Sequence, residues 1–355
     1  MQTNLDLYTD YLLSSFVSTT ATGLSRLTDQ AISYDDVTRF STDLAGGSKS
    51  LWHQVKKFVR QVESKEGVLA IDDTLIEKAH SDEKGLISVH YDYTKDLYVK
   101  GINLVSAVYR VADIQIPVSY EAVIKTLGSE LKTRQTLWKS DRTKNEIFRN
   151  LVKTAHLNQV LFKYVLSDSC GSPPGYTNAD NINDVLGLNK HLIGAVKSNL
   201  EVALSKADKR AGKFQKISQL NLQLGALVVY LRSVDKPLLL CKDILVNVDG
   251  SQGILYVVST DTSLTFQQTL AFYQKRWGVE EYHKALKNNA SIQKSPTKPM
   301  RTQANHLFAS LCAYGKLERL KVLEKTNQFA LKARLYLKAI QAAFKELNSL
   351  KCKLA

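Results

Sequence analysis

The chain has 355 residues, of which 44% are hydrophobic and 23% charged, and these values exclude a single small binding module, a long disordered chain and a coiled-coil rod. Its formal net charge is +14, and residues 271–355 alone carry 17 basic and 5 acidic side chains. Such a basic segment favours a polyanionic partner, because lysine and arginine release condensed counterions from a phosphate backbone. A solvated basic helix surface is the alternative explanation.

The sequence indicates neither secretion nor membrane insertion. The most apolar run, residues 222–231, is about half the length needed to span a bilayer, and the N-terminus lacks the basic and then apolar order of a secretory signal. The cysteines lie far apart and form no CxxC motif: Cys170, Cys241, Cys312 and Cys352. We therefore expect a soluble, cytoplasmic protein.

Residues 1–65 carry apolar positions at helical spacing and are predicted to form several short helices. Ser33 and the acidic residues after it predict a helix start before Val37. The last helix, residues 48–62, places four basic side chains on one face: Lys49, His53, Lys56 and Arg60. This face fits DNA binding, and a solvated helix surface explains it equally well.

Short β-rich runs begin at Gly67 and alternate with helical patterns. Strands are predicted at residues 67–71, 101–111, 114–124, 161–166 and 191–197, with further β-like runs within 199–265. A loop is predicted at residues 169–175, which contain two prolines and two glycines. Helices are predicted at residues 144–160, from 266 to at least 287, and at 304–322 and 328–350.

Aspartates follow two of the predicted strands. Asp72 and Asp73 close the run at 67–71, and Asp168 follows the run at 161–166. If the two strands are parallel neighbours, these carboxylates converge, and strand alternation lets only one of Asp72 and Asp73 face the shared site. Aspartate is also a common turn residue after a strand, so the pattern alone does not establish a metal site.

A polar stripe runs along the helix predicted from residue 266. Its members recur at intervals of three and four: Tyr273, Arg276, Glu280, His283, Lys284 and Lys287. Ordinary i,i+4 ion pairs, such as Arg276 with Glu280, are one explanation. The mixture of aromatic, guanidinium, carboxylate, imidazole and ammonium groups is nevertheless a poor core face, and it favours a functional site.

The spacing Tyr273-x2-Arg276-x3-Glu280-x6-Lys287 resembles the Y-R-E-K signature of bacterial insertion-sequence transposases of the DDE superfamily. In that group, a β-rich insertion interrupts an RNase H-like catalytic core. Residues 71–74 (IDDT) and 165–169 (VLSDS) are similar to its first and second aspartate boxes. The likeness covers about residues 67–290, and of these motifs only the helical one is individually specific.

The resemblance implies a catalytic triad of Asp73, Asp168 and Glu280. It selects Asp73 over Asp72 because Asp73 directly precedes Thr74, as the family's aspartate precedes a threonine-like position. Three carboxylates suit two Mg²⁺ ions, with Mn²⁺ as a substitute, for in-line displacement at phosphorus. The DNA contacts are assigned to the remaining stripe residues: Tyr273, Arg276, His283, Lys284 and Lys287.

The expected fold is α/β, with an RNase H-like mixed sheet flanked by helices. We divide the chain into a helical DNA-binding region (1–65), the first part of the catalytic core (66–198), a β-rich insertion (199–265), the core helix that carries Glu280 (266–300) and a basic helical region (301–355). The basic helices at the C-terminal side are expected either to bind DNA or to pair protomers.

The predicted function is a DNA transposase that acts on double-stranded DNA as a homodimer. It is expected to cleave transposon ends and to transfer the freed strands into target DNA by a cut-and-paste route. The resemblance implies that this route passes through a hairpin intermediate. The alternatives are a metal-dependent nuclease with the same core, and a decayed transposase that only binds DNA.

Overall fold

The computed structural model of the chain describes residues 4–83, 85–92, 95–130, 136–168, 175–222, 225–246 and 250–352. Its N-terminal helices are α1 (Leu5–Ser14), α2 (Ala21–Leu27), α3 (Tyr34–Asp43) and α4 (Ser48–Val62). Ser33 caps α3 as predicted, since its hydroxyl accepts a hydrogen bond from the backbone N–H of Asp36 at 3.1 Å. The bounds of α4 agree with the predicted helix at 48–62.

The described strands follow α4 in the chain and lie between residues 68 and 259. They are β1 (Val68–Glu77), β2 (Ser88–Asp92), β3 (Leu97–Val111), β4 (Ile114–Ala122), β5 (Lys125–Glu130), β6 (Thr136–Ser140), β7 (Tyr164–Ser167), β8 (His191–Val196), β9 (Glu201–Val202), β10 (Gln215–Lys216), β11 (Gly225–Val229), β12 (Leu238–Val246) and β13 (Gln252–Ser259). The predicted loop at 169–175 lies, except for Gly175, outside the described residues.

The later helices are α5 (Lys144–Leu157), α6 (Ala179–Gly187), α7 (Lys206–Arg210), α8 (Phe266–Gln274), α9 (Gly278–Asn288), α10 (Met300–Leu323) and α11 (Gln328–Lys351). Helices α4, α5, α9 and α10 pack against β4, and α8 packs against β8, β12 and β13. Among the described residues, no helix is both long enough and apolar enough to cross a membrane.

Across the described residues, nine strands form one mixed sheet in the order β11-β12-β13-β8-β7-β1-β3-β2, and β4 also pairs with β3. The pairs β1–β7 and β7–β8 are parallel, whereas the other pairs are antiparallel. Antiparallel strands on one side of β1 and parallel strands on the other are consistent with an RNase H-like fold. The predicted α/β class is therefore confirmed.

The two aspartates of β1 lie within the strand, and the prediction that they close it was wrong. Strand β1 continues to Glu77 because β3 pairs with it antiparallel along its whole length. The parallel partner β7 pairs only with Val68–Ala70. Asp72 and Asp73 therefore follow the end of the β7 pairing, and at this point no strand within the described part of the chain pairs with that edge of β1.

The β-rich segment at 199–265 extends the central sheet. Strand β13 pairs antiparallel with β8 at Tyr256–Ser259, and β12 and β11 follow it outward. The inner ends of β12 and β13 are buried, because they continue the core beneath α8. This arrangement places α8 against β8, in the same sheet as β1 and β7.

The helix predicted from residue 266 through 287 is interrupted. A 3₁₀ turn at Lys275–Trp277 separates α8 from α9. The Arg110 guanidinium of β3 donates to the Lys275 carbonyl, and a side chain inserted at such a point is a recognised cause of a helix break. Gly278 allows this approach, since a Cβ there would lie 2.1 Å from Arg110 Nη1.

Candidate active site

A cavity of about 510 Å³ lies at the open edge of β1, beyond the end of β7. Acidic residues from β1, β2, the end of β7 and α9 line it, together with basic residues from several elements. The lining includes Asp72, Asp73, Asp168, Glu280, His283, Lys284 and Lys287. The expectation that only one of Asp72 and Asp73 faces the site was wrong, because both line this cavity. Side chains on opposite faces of β1 can reach the same cavity because, among the residues that the structure describes, no strand pairs with β1 on the β7 side beyond Ala70.

Asp168 and Glu280 meet at the guanidinium of Arg276. Arg276 Nη1 lies 3.2 Å from Asp168 Oδ2 and 3.3 Å from Glu280 Oε1. The same nitrogen is 3.9 Å from Asp72 Oδ2. The end of β7, helix α9 and strand β1 thus each direct one carboxylate to a single cationic atom.

Asp73 has a different set of partners. Its Oδ2 atom lies 2.7 Å from the Lys144 ammonium and accepts a hydrogen bond from the Asn103 amide at 2.8 Å. The Tyr176 hydroxyl donates to Oδ1 at 3.1 Å. Burial alone would raise the pKa of Asp73, but the Lys144 charge and these hydrogen bonds outweigh it and lower the pKa. The Asp73 carboxylate is therefore held ionised.

Asp72 is less readily ionised than its neighbour. Burial and the adjacent Asp73 charge raise its pKa well above the ordinary value, and the Arg276 charge offsets only part of that effect. Ligand atoms of Asp72, Glu280 and His283 lie within 4.8 Å of one another. Asp72 is consequently a second candidate metal ligand on β1, beside Asp73.

His283 presents a neutral imidazole to this group. Burial, reinforced by the nearby Lys287 charge, lowers its pKa to about 3. Its Nε2 atom is buried and has no hydrogen-bond partner among the described residues, which is unusual for a buried polar atom. A buried, unpaired nitrogen on a residue that lies beside the Asp72 and Glu280 carboxylates fits a bound divalent cation, and oxygen-rich sets favour Mg²⁺ or Mn²⁺.

The predicted DNA-binding residues divide into two groups. Tyr273 and Arg276 are buried, and the Arg276 guanidinium lies 5.7 Å from the centre of the Tyr273 ring. Lys284 and Lys287 line the cavity, and burial lowers the pKa of Lys287. The Lys284 ammonium also lies 5.6 Å from the centre of the Phe329 ring of α11.

Sequence reasoning did not find the partners of Asp73. Lys144 begins α5, Asn103 lies in β3, and Tyr176 precedes α6. No spacing in the sequence connects these residues with Asp73, because their proximity arises only when β3 pairs with β1, α5 packs on β3 and β4, and α6 packs on α5 and β8. A lysine at the start of a helix also gives no sign of its function by itself.

The basic face predicted on α4 contains one structural arginine. Arg60 pairs with Glu63 at 2.8 Å and donates to the carbonyls of Asn158 and Gln159. Its guanidinium therefore connects α4 to the C-terminal end of α5 through hydrogen bonds. Lys49, His53 and Lys56 are exposed.

The family described as Transposase DDE domain matches residues 135–315. A search of curated proteins found no match. The matched segment contains Asp168 and Glu280, and β1 lies before it, so the fold is what brings Asp72 and Asp73 to the same cavity. Because the match covers just over half of the chain, this protein belongs to the family of transposases with a DDE domain.

Proposed function

We propose that this protein is a metal-dependent cut-and-paste DNA transposase that cleaves transposon ends and joins them to target DNA. The observation that carries the proposal is the cavity that Asp73, Asp168 and Glu280 all line, from separate elements, beside Lys284 and Lys287. Clustered carboxylates supply ligands for cations, and the adjoining ammonium groups supply charge for a phosphate backbone. The family resemblance supports a further part of the proposal, that the flanking DNA is released through a hairpin.

Asp73, Asp168 and Glu280 are the proposed ligands of two Mg²⁺ ions, and Mn²⁺ is expected to substitute. When bound, such ions stabilise both the attacking and the leaving oxygen of an in-line displacement at phosphorus. Lys144, Asn103 and Tyr176 fix the Asp73 carboxylate before any ion arrives. Orientation of this kind preserves ligand geometry and keeps the carboxylate ionised.

The basic residues around the cavity are proposed to position the DNA end. Lys284 and Lys287 lie on the cavity wall, where they can contact phosphates on either side of the scissile bond. Arg276 and Tyr273 are proposed to bind a terminal phosphate, since a guanidinium recognises two phosphate oxygens at once. The neutral His283 contributes a positioning contact.

The terminal helices are proposed to bind DNA and to pair protomers. The N-terminal region, residues 1–65, offers Lys49, His53 and Lys56 on the exposed face of α4 for recognition of the inverted repeats. Helix α11 exposes an apolar stripe at heptad spacing, formed by Leu337, Ile340, Phe344 and Leu347. We assign this stripe to pairing with a second copy of the chain.

The charge pattern of α11 supports pairing with an identical helix. On a helical projection, Lys338 and Lys345 lie on the side opposite the stripe, while the uncharged Gln341 and Asn348 flank it. Between Leu337 and Leu347 the stripe itself contains no charged residue, so two such stripes can meet over this length without placing like charges in contact. Leu337 and Phe344 are 54% and 62% exposed, so pairing would remove substantial apolar surface from water.

Light scattering on the size-separated protein tests this assignment. We expect the wild-type chain to form a dimer and the double variant Leu337→Glu/Phe344→Glu to be monomeric. The matched control, Ala342→Glu/Ser349→Glu, adds the same charge on the opposite side of α11 and is expected to remain dimeric. A stripe variant that stays dimeric would show that protomers pair elsewhere.

A strand-joining assay distinguishes the proposed transposase from its alternatives. Pre-cut duplexes bearing the inverted repeats that flank the coding region are mixed with a supercoiled plasmid and Mg²⁺. A transposase joins the duplex to the plasmid, and uncut ends also yield cleaved products with a hairpin on the flanking DNA. A nuclease would cleave without joining, and a decayed transposase would bind the ends without either reaction.

A further inference from the structure

The Arg276 guanidinium occupies the centre of the acidic cluster. Its Nη1 atom contacts Asp168 Oδ2 and Glu280 Oε1 at 3.2 and 3.3 Å, with Asp72 Oδ2 at 3.9 Å. The side chain is only 6% exposed. A positive charge buried among three carboxylates relieves their mutual repulsion, which is also what a bound metal ion would do.

The contacts of Arg276 differ from those of a structural arginine. Short, paired hydrogen bonds are typical of arginine with carboxylates, yet these distances exceed 3 Å and involve one nitrogen. The buried Nε atom has no hydrogen-bond partner among the described residues. In the same chain, Arg60 binds Glu63 at 2.8 Å and also donates to two backbone carbonyls. The contacts between the Arg276 guanidinium and these carboxylates are thus mainly electrostatic.

We propose that Arg276 is an exchangeable internal cation, which keeps the affinity of the free enzyme for divalent metal low and withdraws when a DNA end binds. The guanidinium contacts Asp168 Oδ2 and Glu280 Oε1, so a metal ion that takes these two oxygens has to displace it, because the two cations repel and compete for the same atoms. This inference rests on the proposed function, since the DNA end supplies the phosphate that would attract Arg276.

The surroundings of Arg276 provide a route for the exchange. The guanidinium lies 5.5 Å from the centre of the Trp277 ring, and this residue is 60% exposed. Cation–π contact with this ring can continue while the side chain turns towards a phosphate outside the cluster. Glu280, whose side chain is 51% exposed, is the least enclosed of the three acids and can reorient at the same time.

Metal binding and DNA binding are coupled if both require the same movement of Arg276. By thermodynamic linkage, a DNA end that raises the metal affinity is bound more tightly by the same factor when metal is present. The free enzyme would then carry little metal, and its active site would be completed only on a DNA end. Such coupling would limit cleavage of unrelated DNA.

Titration with Mn²⁺, followed through the paramagnetic resonance signal of the free ion, tests the proposal without DNA. We expect Arg276→Gln to bind Mn²⁺ about tenfold more tightly than the wild type, within the usual range of coupling between sites. Lys284→Gln is the matched control, because it removes one charge from the same cavity without removing the contacts to the carboxylates. Its effect is expected to be about twofold at most at physiological salt, where exposed charges are screened.

Equal affinities for the wild type and Arg276→Gln, or an equal gain in both variants, would overturn the proposal. If Arg276→Gln does not fold in chelator, Mn²⁺ is expected to restore its circular dichroism spectrum by replacing the lost cation. Failure of that rescue would equally contradict the exchange. The conservative variant Arg276→Lys, which retains the charge, is expected to bind Mn²⁺ as weakly as the wild type.

Adding end DNA tests the coupling. The duplex should raise the Mn²⁺ affinity of the wild type several-fold and that of Arg276→Gln little. A gain of the same size in both proteins would show that Arg276 does not transmit the effect. A protein with these metal affinities that failed to join DNA would overturn the proposed function and leave the role of Arg276 as an internal cation intact.

Discussion

Replacing Asp73 or Asp168 by asparagine, or Glu280 by glutamine, is expected to reduce DNA cleavage roughly a thousandfold or more. Each substitution removes a negatively charged ligand while retaining the size of the side chain. A bound metal ion stabilises the charge of the transition state by several kcal/mol, and about 1.4 kcal/mol corresponds to a factor of ten in rate. Single-turnover cleavage of a labelled end measures the loss.

End binding should persist in these variants. Lys284 and Lys287, which line the cavity, are unchanged, and loss of a carboxylate weakens repulsion of the phosphate backbone. Glu281→Gln is a suitable control because Glu281 is the exposed neighbour of Glu280 in α9 and accepts a hydrogen bond of 3.4 Å from Gln115. If a triad variant cleaves at a near wild-type rate, the corresponding residue is not a catalytic ligand.

Asp72→Asn provides a matched comparison with Asp73→Asn. Asp73 is held ionised by Lys144, whereas burial and the Asp73 charge favour the protonated form of Asp72. Asparagine resembles a protonated aspartate, so we expect Asp72→Asn to reduce cleavage by about tenfold at most, in the range seen when a supporting residue of a metal site is removed. If Asp72→Asn instead reduced cleavage more than Asp73→Asn, the metal ligand of β1 would be Asp72, which lies close to Glu280 and His283.

The elements of the core could be predicted because their patterns are local. The strands and helices around Asp168 and Glu280 follow from apolar runs, charged turns and helical spacing, all of which act over a few residues. The end of β1 was predicted wrongly for the same reason. Two adjacent aspartates indicate a turn locally, and only the pairing of β1 with β3 keeps them within a strand.

The candidate site could be predicted only as a set of residues. The sequence indicated Asp168, Glu280, Lys284 and Lys287, and the fold places all four on one cavity. It could not show that Lys144 pairs with Asp73, since this contact spans 71 positions in the sequence. The position of Arg276 was also unpredictable, because the 3₁₀ turn that carries it depends on Arg110 of β3.

Removal of divalent metal is expected to abolish cleavage and strand joining while leaving the fold intact. In a structural metal site, binding energy is folding energy, and a chelator unfolds the domain. Here the β1 residues Val68–Ile71 are fully buried in an apolar core, and Arg276 neutralises part of the acidic charge in the free chain. We therefore expect a chelator to lower the melting temperature by no more than about 2 °C, equivalent to roughly 1 kcal/mol or less for a domain of this size.

Parallel circular dichroism melts and cleavage assays measure both effects, and Mg²⁺ or Mn²⁺ added back should restore the reaction. Cleavage that persisted in excess chelator would refute the metal-dependent mechanism, whereas a large drop in melting temperature would show that the ions also maintain the fold.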